Sequence, residues 1–250
     1  MNKAVRMAEL ISDAKNIAVL SGAGVSVNAG IADFRGPKGI YTTGKYDPEA
    51  VFDIARFIKK PLPFYDFARD FINGIKNVKP TFTHYFLASL EKTGKLKGII
   101  TQNIDALHQK AGSSNVFEFH GSFWNSYCMA CGAHFPYKEM EEKIFKEEVP
   151  LCVCGAVIKP DIVFFGEPVK CLNESVKLAF ESDLFIIIGS SLTVYPAAAI
   201  PDSARGKIAV VNKGSVNLPR KRVELFADED MDEFFEKTAS ILNMDVKCGG

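Results

Sequence analysis

Residues that can do chemistry follow five short apolar segments of this chain. They are Ser21-Gly22-Ala23-Gly24, Thr101-Gln102-Asn103-Ile104-Asp105, His120-Gly121, Gly189-Ser190-Ser191 and the single residue Asn212. Glycines let a backbone approach a phosphate, amides both donate and accept hydrogen bonds, and aspartate and histidine can move protons. Together these residue types point to an enzyme that binds a nucleotide-like ligand.

The apolar segments that precede these residues are typical of buried parallel strands. They cover residues 16–20, 98–100, 116–119, 184–188 and 208–211, and helical stretches lie between them. Strands that are buried on both faces carry continuous apolar runs. Because ligands of an open parallel sheet bind outside the carboxyl ends of the strands, we expect the polar residues to converge on one crevice.

The glycine-rich turn after the first strand is a weak nucleotide signal by itself. Gly22 and Gly24 are followed by Val27, which stands where a dinucleotide fingerprint has its third glycine. The usual acidic residue at the end of a second strand is also missing, because residues 40–45 are not strand-like. A tight turn without a ligand therefore stays open, and a hydride-transferring dehydrogenase is disfavoured.

Four cysteines form two close pairs that can bind a metal. The pairs are Cys128 with Cys131 and Cys152 with Cys154. Two such pairs can complete a tetrahedral thiolate site, and four sulfur ligands leave no open position for water. We therefore expect one structural zinc ion, and a set of free or redox-active thiols is the alternative.

The order of the elements predicts an α/β fold with a Rossmann-like, doubly wound parallel sheet and a smaller inserted module. Further strands are predicted at residues 161–165 and 222–226. The expected nucleotide-binding domain comprises residues 1–37, 83–122 and 158–250. The expected small domain comprises residues 38–82 and 123–157, with a helical module and a zinc-ribbon-like module. A cleft between the two domains is the predicted ligand site.

Composition narrows the class of protein. The 250 residues are 47% hydrophobic and 24% charged, and 30 basic residues balance 30 acidic ones. Zero formal net charge argues against a general nucleic-acid binder and against binding to anionic membranes. No apolar run approaches the length of a membrane span, and the N-terminus shows no signal peptide. We expect a cytoplasmic protein, with a monomer as the default.

Taken in chain order, the motifs resemble the sirtuin family of NAD-dependent protein-lysine deacylases, in the form of its bacterial and archaeal deacetylases. The resemblance covers roughly residues 15–215 and combines the strand-end motifs and the cysteines above with Gly30-Ile31-Ala32-Asp33-Phe34-Arg35-Gly36 and Phe165-Gly166-Glu167. Jointly these motifs are specific. Ala32 departs from the proline that is usual in the family, and the second cysteine pair is one residue short.

The resemblance implies that NAD is a co-substrate. The acetyl group of an acetyl-lysine would pass to ADP-ribose, which gives nicotinamide, free lysine and O-acetyl-ADP-ribose. His120 would be the general base, since an ordinary histidine has a pKa of about 6.5 and can accept a ribose hydroxyl proton. Asn103 and Asp105 would be the other catalytic residues. A core histidine and a helix-capping Asp105 are the structural alternatives.

The resemblance also assigns residues to the cofactor. Near the phosphates, the ribose and the nicotinamide it places Gly22, Ala23, Gly24, Ser26, Asp33, Phe34, Arg35, Gln102, Asn103, Ile104, Asp105 and His120. For the adenosine half it suggests Gly189, Ser190, Ser191, Asn212, Lys213 and Asp228. A surface ion pair for Arg35 and a core position for Phe34 are alternatives. His84 is interpreted as a packing residue and His108 as a neighbour of the site.

The expected substrates are acetylated-lysine proteins or peptides. The resemblance assigns their binding to Val163, Phe164, Phe165, Gly166, Glu167 and Val194, with the extended stretch pairing with the substrate backbone. Family members that remove succinyl groups carry a Tyr-x-x-Arg motif. In this chain Ala68 stands three positions after Tyr65, and Arg69 is one residue too far. We therefore predict a neutral acyl group, with acetyl as the default.

Two other functions stay open on the sequence. Mono-ADP-ribosyl transfer to protein would use the same activated ribose, and product analysis separates it from deacetylation. A non-catalytic module that binds NAD or a peptide is the other, although the presence of His120, Asn103 and Asp105 argues against it.

Overall fold

The computed structural model of the protein describes residues 2–31 and 44–249. Its strands are β1 Ile17–Ser21, β2 Leu96–Thr101, β3 Val116–Glu118, β4 Gly121–Cys128, β5 His134–Pro136, β6 Ile158–Ile162, β7 Leu184–Ile188, β8 Lys207–Val211 and β9 Val223–Ala227. Its α-helices are α1 Lys3–Asp13, α2 Pro48–Phe52, α3 Ile54–Lys59, α4 Leu62–Ile75, α5 Phe82–Lys92, α6 Leu107–Lys110, α7 Tyr137–Lys146, α8 Leu172–Glu181 and α9 Met231–Ile241. Short 3₁₀ helices cover Ala23–Ala29, Ala197–Ser203 and Arg220–Arg222.

Internal contacts divide the chain into two compact units. The first unit consists of Met1–Gly30, Lys79–Phe119 and Cys171–Gly250, and the second consists of Ile31–Val78 and His120–Lys170. These bounds differ from the predicted domain boundaries mainly at residues 158–170, which belong to the second unit. The reason is that β6 pairs with β4 and not with the parallel sheet.

The first unit contains a six-stranded parallel sheet. Its strand order is β3-β2-β1-β7-β8-β9, and every neighbouring pair is parallel. The chain leaves β1 towards β2 and β3 on one side and later continues from β7 to β9 on the other. This reversal of direction beside β1 is the topological switch point at which doubly wound sheets bind ligands. The predicted fold class is therefore confirmed.

Helices cover the sheet because its strands are apolar on both faces. Every residue of β1 and of β7 is buried. The main hydrophobic core contains residues of α1, α5 and α9 together with alternate strand residues such as Val19 and Ile186. In α9, Phe234 and Phe235 are fully buried and belong to this core.

The second unit has a core of aromatic side chains and a three-stranded antiparallel sheet. The sheet has the order β5-β4-β6. Phe57, Phe64 and Phe164 are fully buried, and their rings lie 5.0–5.5 Å apart in mostly edge-to-face arrangements. One cysteine turn connects β4 with β5, and the other lies between the bridged residues Leu151 and Val157. In the described part of the chain, no helix is long and apolar enough to cross a membrane.

Candidate active site

The carboxyl ends of the parallel strands lie in register. Ser21 of β1 pairs with Thr101 of β2 and with Ile188 of β7, and Ile188 pairs with Val211 of β8. The ladder extends one residue beyond each end, since the N–H groups of the next residues donate to neighbouring strands: Gly22, Gln102, Phe119, Gly189 and Asn212. The predicted strand-end residues in the first unit are thus anchored along one edge of the sheet.

Gly22, Gly24 and Gly189 are in close backbone contact at this edge. A Cβ atom on Gly22 would lie 2.7 Å from the carbonyl oxygen of Gly189, and one on Gly24 would lie 2.7 Å from the Gly189 Cα. Gly189 has a φ of +58°, and its own Cβ would lie 2.4 Å from the nitrogen of Val25. Glycine is therefore required at these three positions mainly because the backbone segments pack in direct contact. Phosphate contact by Gly22, Ala23 and Gly24 stays a prediction.

A buried hydrogen-bonded group connects the turn after β1 with the loop after β2. The hydroxyl of Ser26 donates to Oδ2 of Asp105 over 2.7 Å. The side-chain amide of Asn103 donates to Ser26 Oγ and to the Gly22 carbonyl, each over 3.3 Å. Ser26, which was predicted to contact a phosphate, thus orients a predicted catalytic carboxylate.

Asp105 is a buried carboxylate with two defined donors. Its Oδ1 accepts from the N–H of Leu107, the first residue of α6, over 2.9 Å, whereas the N-cap position of α6 is Ala106, which makes no side-chain cap bond. Burial raises the pKa of Asp105, while the hydrogen bonds from Leu107 and Ser26 oppose that rise. Each oxygen keeps a further lone pair with which it can accept a ligand amide.

Gln102 and Ser190 connect the ends of β2 and β7. Gln102 Nε2 donates to Ser190 Oγ over 2.9 Å, and the N–H of Leu192 donates to the same oxygen over 3.3 Å. Ser190 and Ile104 are buried, whereas Ser191 is exposed and its hydroxyl lies 3.1 Å from that of Thr193. Ser190 is therefore held by its neighbours, and Ser191 faces solvent.

Two of the predicted adenosine residues, Asn212 and Lys213, lie in a turn after β8, and a third, Asp228, follows β9. Asn212 Nδ2 donates to the carbonyl of Lys213 over 2.9 Å, and Asp228 accepts the N–H of Gly214 over 3.0 Å. The Lys213 ammonium pairs with Asp230 over 2.8 Å. These contacts shape the turn, and contact with adenosine stays a prediction.

Phe119 is the last residue that hydrogen-bonds to the parallel sheet before the chain enters the second unit. His120 follows it directly and lies in the second unit. Its carbonyl accepts the N–H of Val163 over 2.9 Å, and its side chain is partly exposed. Gly121 follows with a φ of +71°, and a Cβ on it would lie 1.9 Å from the Asp161 carbonyl oxygen. Only glycine can therefore follow His120, because the chain turns into β4 at position 121.

The predicted substrate stretch is held by hydrogen bonds along one edge. The N–H of Phe165 donates to the Phe52 carbonyl, and the Phe165 carbonyl accepts from Ile54. The N–H of Phe164 donates to Glu167 Oε2 over 2.8 Å. Phe164 is buried, and Phe165 is exposed together with Gly166. The carbonyl of Val194, in the first unit, accepts the N–H of Ala198.

The four predicted metal ligands come together. The sulfur atoms of Cys128, Cys131, Cys152 and Cys154 all lie within 4.8 Å of one another. The Cys128–Cys154 distance is 3.4 Å and the Cys131–Cys152 distance is 3.7 Å. A tetrahedral zinc site with Zn–S bonds of about 2.3 Å requires sulfurs about 3.8 Å apart. The cluster therefore fits one zinc ion, in agreement with the spacing of the cysteines in the sequence.

Glycines and backbone hydrogen bonds build the two cysteine turns. Gly132 and Gly155 have φ values of +70° and +85°, and their N–H groups donate to the carbonyls of Cys128 and Cys152. The N–H of Cys131 points at Cys128 Sγ and is the main reason that the pKa of Cys128 is lowered to about 6. His134 contacts Asn125 over 2.7 Å and lies outside the cysteine cluster.

Three predicted cofactor residues, Asp33, Phe34 and Arg35, lie outside the described residues. Their assignments stay predictions.

Comparison with known proteins identifies the family to which these elements belong. The model of the Sir2 family matches residues 22–196, which include the glycine turn, the residues after β2, β3 and β7 and all four cysteines, whereas Asn212 lies beyond the match. The chain belongs to the Sir2 family. The sirtuin resemblance of the sequence is thereby confirmed.

Individual Sir2-family relatives match most of the chain. The NAD-dependent protein deacetylase of Saccharolobus solfataricus is 48% identical over 208 residues, which are 82% of this chain and 83% of the relative. A solved Sir2 structure with a deacetylated p53 peptide and 3′-O-acetyl-ADP-ribose matches with a TM-score of 0.91 and 37% identity, covering 97% of this chain and 100% of that chain. A Sir2 structure with a p53 peptide and NAD⁺ matches with a TM-score of 0.85 and 38% identity, covering 94% of this chain and 96% of that chain.

This Sir2-family protein also contains a buried pair of histidines whose contact the sequence did not predict. The rings of His84 and His108 lie 4.7 Å apart, and both side chains are almost completely buried. His84 Nδ1 accepts the N–H of Thr81, which caps α5, and His108 Nε2 lies 2.9 Å from Ser21 Oγ. Burial lowers the pKa of His84 to about 3 and that of His108 well below its usual range. Both imidazoles are therefore neutral at pH 7.

Proposed function

We propose that this Sir2-family protein is an NAD-dependent protein-lysine deacetylase. The observation that carries the proposal is the buried group of Ser26, Asn103 and Asp105 at the carboxyl edge of the parallel sheet. A polar group of this kind at a topological switch point suits the recognition of a nucleotide. Relatives that match over four fifths of the chain and are named NAD-dependent protein deacetylases support the same reaction.

When bound, NAD would supply an ADP-ribosyl group: its bond to nicotinamide would break, the acetyl oxygen of an acetyl-lysine would bond to the anomeric carbon, and one water molecule would be consumed when the free lysine is released. The chain contributes binding, orientation and proton transfer. Asp105 would accept the amide N–H of nicotinamide through a carboxylate that Ser26 and Leu107 hold in one orientation. Asn103 would bind the ribose from a side chain fixed by its donation to Gly22 and Ser26.

His120 would act as the general base for a ribose hydroxyl. It follows directly on the last anchored residue of the β3 edge, and Gly121 fixes the direction of the chain after it. A positioned imidazole base contributes about 10²–10⁴-fold to a rate. Replacement of His120 by alanine should therefore cost at least two orders of magnitude in deacetylation.

The substrate would be an extended peptide that pairs with the stretch Val163 to Glu167. Strand addition uses main-chain hydrogen bonds, so sequence specificity around the acetyl-lysine should be low. Acetylated-lysine proteins or peptides are the corresponding partners, and relatives solved with acetylated or deacetylated peptides support this assignment.

The acyl group would be neutral, because the described residues of α4 offer no available cation where the family's acid-binding motif would stand. The Tyr65 side chain is fully buried, and its hydroxyl donates to the Ile158 carbonyl. The Arg69 guanidinium donates to the Ile144 and Glu147 carbonyls at the end of α7 and pairs with Asp66 over 2.7 Å. Arg69 is therefore committed to capping a helix.

Zinc would have a structural role. Cys128, Cys131, Cys152 and Cys154 would hold one ion and close both cysteine turns. The chemistry of four thiolate ligands leaves no position for water or substrate, so the ion would stabilise the second unit and take no part in the reaction.

Product analysis tests the proposal. The protein is incubated with one acetyl-lysine peptide, with and without NAD, and the products are identified by mass. We expect an NAD-dependent loss of the acetyl mass from the peptide, with nicotinamide and O-acetyl-ADP-ribose formed in equal amounts. A gain of the ADP-ribose mass on protein, without deacetylation, would instead establish ADP-ribosyl transfer. Unchanged substrates would support a binding module and refute the proposal.

The proposal also includes that the protein is a monomer and that it is cytoplasmic. Four closely spaced thiols suit a reducing compartment with a bound metal. Sedimentation of the purified protein and its location in the cell test these two points.

A further inference from the structure

Lys159 is a buried cation beside the predicted substrate stretch, and neither the sequence motifs nor the proposed reaction uses it. It lies in β6 and is only 9% exposed. Lysine is among the residues least often buried, because taking an ammonium ion out of water is costly unless it is paired and hydrogen-bonded. Burial of the Lys159 ammonium therefore requires specific partners close by.

The Lys159 ammonium contacts both ends of the turn that follows β6. It donates to the Ile162 carbonyl over 2.6 Å and pairs with Glu167 Oε2 over 2.8 Å. It also lies 4.1 Å from the centre of the Phe164 ring, within the range of a cation–π contact. One positive charge thus connects the last residue of the strand, the middle of the turn and its end.

Glu167 connects the Lys159 ammonium to the backbone of the turn. The carboxylate oxygen that pairs with Lys159 also accepts the N–H of Phe164 over 2.8 Å, and the Glu167 N–H donates to the Phe164 carbonyl over 3.0 Å. Without the ammonium, the carboxylate would lose the partner that holds it under Phe164. The conformation of the turn therefore depends on the ion pair.

The same turn keeps two backbone polar groups that are not bonded to other described residues. Val163 donates its N–H to His120, and Phe165 uses both its N–H and its carbonyl on Phe52 and Ile54. Among bonds between the described residues, none takes the Val163 carbonyl or the N–H of Gly166. An extended peptide could pair with these groups only if the turn keeps its present shape.

We propose that Lys159 is a positioning residue for the peptide substrate, which acts through Glu167 and Phe164 to hold Val163–Gly166 in the conformation that accepts a substrate strand. The inference rests on the proposed function, since it assumes an acetylated peptide as the ligand. It assigns no proton transfer and no contact with NAD to Lys159.

Steady-state kinetics with an acetyl-lysine peptide and NAD test the inference. Lys159→Met keeps the unbranched shape and the contact with the Phe164 ring but removes the charge. We expect the KM for peptide to rise at least 10-fold, while the KM for NAD stays within about 2-fold and kcat within about 3-fold. Lys159→Arg keeps a cation that can donate to Ile162 and Glu167, so it should recover most of the peptide affinity.

Lys170→Met is the matched control. Lys170 pairs with Asp161 in the same unit but is more than one-third exposed, and among the described residues no hydrogen bond or ion pair joins its side chain to residues 163–167. Its peptide KM should equal that of the wild type. Glu167→Gln gives a second route to the same interaction if Lys159→Met does not fold. It keeps an acceptor for the Phe164 N–H but loses the ion pair, and the peptide KM should rise about 3-fold or more.

The dissociation constant of the acetylated peptide, measured by titration calorimetry, gives a readout that does not need turnover. A weaker peptide complex of Lys159→Met with unchanged NAD parameters supports the inference. Equal peptide affinity of Lys159→Met and the wild type overturns it, and so does a parallel loss in kcat and in both KM values. A wild-type protein that binds the peptide without deacetylating it refutes the proposed function, whereas the calorimetric comparison still decides the role of Lys159.

Discussion

Ser26 donates its hydroxyl to the Asp105 carboxylate over 2.7 Å, although the two residues are 79 positions apart in the sequence. The bond joins the 3₁₀ helix after β1 to the loop after β2. It therefore couples the glycine turn, for which phosphate contact is predicted, to the carboxylate for which contact with nicotinamide is predicted.

Asp105→Asn is expected to lower kcat/KM for NAD about 10- to 100-fold. The variant keeps the shape of the side chain and its acceptor for Leu107, but it loses the charge. A hydrogen bond to a charged group contributes about 1.5–3 kcal/mol, which corresponds to this range. Initial rates at varied NAD and saturating peptide provide the measurement.

Ser26→Ala is the control variant for Asp105→Asn, with a smaller expected effect. It keeps the carboxylate and removes only one neutral donor, so the loss should be about 5-fold. If Asp105→Asn were no worse than Ser26→Ala, the carboxylate would not have the role proposed for it.

Gly189→Ala is expected to destabilise the protein by about 3 kcal/mol, because φ is left-handed there and the added Cβ would meet the Val25 nitrogen at 2.4 Å. Gly74→Ala is the matched control. Gly74 lies inside α4, and a Cβ there meets nothing within 4 Å. This substitution should therefore stabilise the protein by about 0.5–1 kcal/mol. Thermal unfolding is measured for both variants. The melting temperature should fall for Gly189→Ala and rise for Gly74→Ala, and equal shifts would contradict the packing argument.

The parallel strands and the zinc ligands were predictable because their signals are local. A strand buried on both faces requires a continuous apolar run, as in β7, and a tetrathiolate site requires close cysteine pairs. The confirmed elements are those in which neighbouring residues carry the whole signal.

β6 was less predictable, and the reason is Lys159. The strand was predicted at residues 161–165, but it runs from Ile158 to Ile162 and pairs with β4 in an antiparallel sheet. A lysine and a proline in the strand interrupt the apolar pattern, and the buried lysine finds its ionic partner in Glu167, outside the strand. The contact between His84 and His108 escaped prediction for the same reason, since it depends on tertiary structure alone.

Acetyl-lysine is expected to be the preferred substrate over succinyl-lysine by at least 10-fold in kcat/KM. The reason is that Arg69 caps α7 and Tyr65 is buried, which leaves the negative charge of a succinyl group without a partner. Two peptides that differ only in the acyl group are compared at equal NAD. A succinyl rate above the acetyl rate would overturn the assignment of a neutral acyl group.

One zinc ion per chain is expected by native mass spectrometry, and Cys152→Ser is expected to lose it. Cys152 is buried, and its sulfur lies 3.7 Å from that of Cys131, so the substitution removes one of four ligands. Folding of small metal sites depends on the ion. The variant should therefore unfold at a lower temperature and lose activity.

Cys171→Ser serves as the control for zinc, since Cys171 is exposed and lies outside the cluster. It should keep both the ion and the melting temperature. Retention of zinc by Cys152→Ser, or its loss by Cys171→Ser, would show that the ion is bound elsewhere.

Stability is expected to fall on mild acidification because of the buried histidine pair. In the folded protein the pKa of His84 is about 3 and that of His108 is also strongly lowered, whereas an unfolded histidine titrates near 6.5. Below pH 6.5 the unfolded chain therefore binds more protons, and the free energy of unfolding falls as the pH falls. Between pH 7.0 and 5.5 the loss should be about 1.2 kcal/mol for each histidine.

Non-titrating substitutions isolate this contribution from that of other groups. His84→Asn can still accept the Thr81 N–H, and His108→Gln can hydrogen-bond the Ser21 hydroxyl either as donor or as acceptor. Asp105 titrates with the opposite sign because its pKa is raised, but it is present in every variant and cancels in the comparison. Urea unfolding at pH 7.0 and 5.5 should show the pH-dependent loss reduced by about half in His84→Asn and in His108→Gln, and nearly abolished in the double variant. An unchanged pH dependence in the double variant would mean that these imidazoles are protonated in the folded protein.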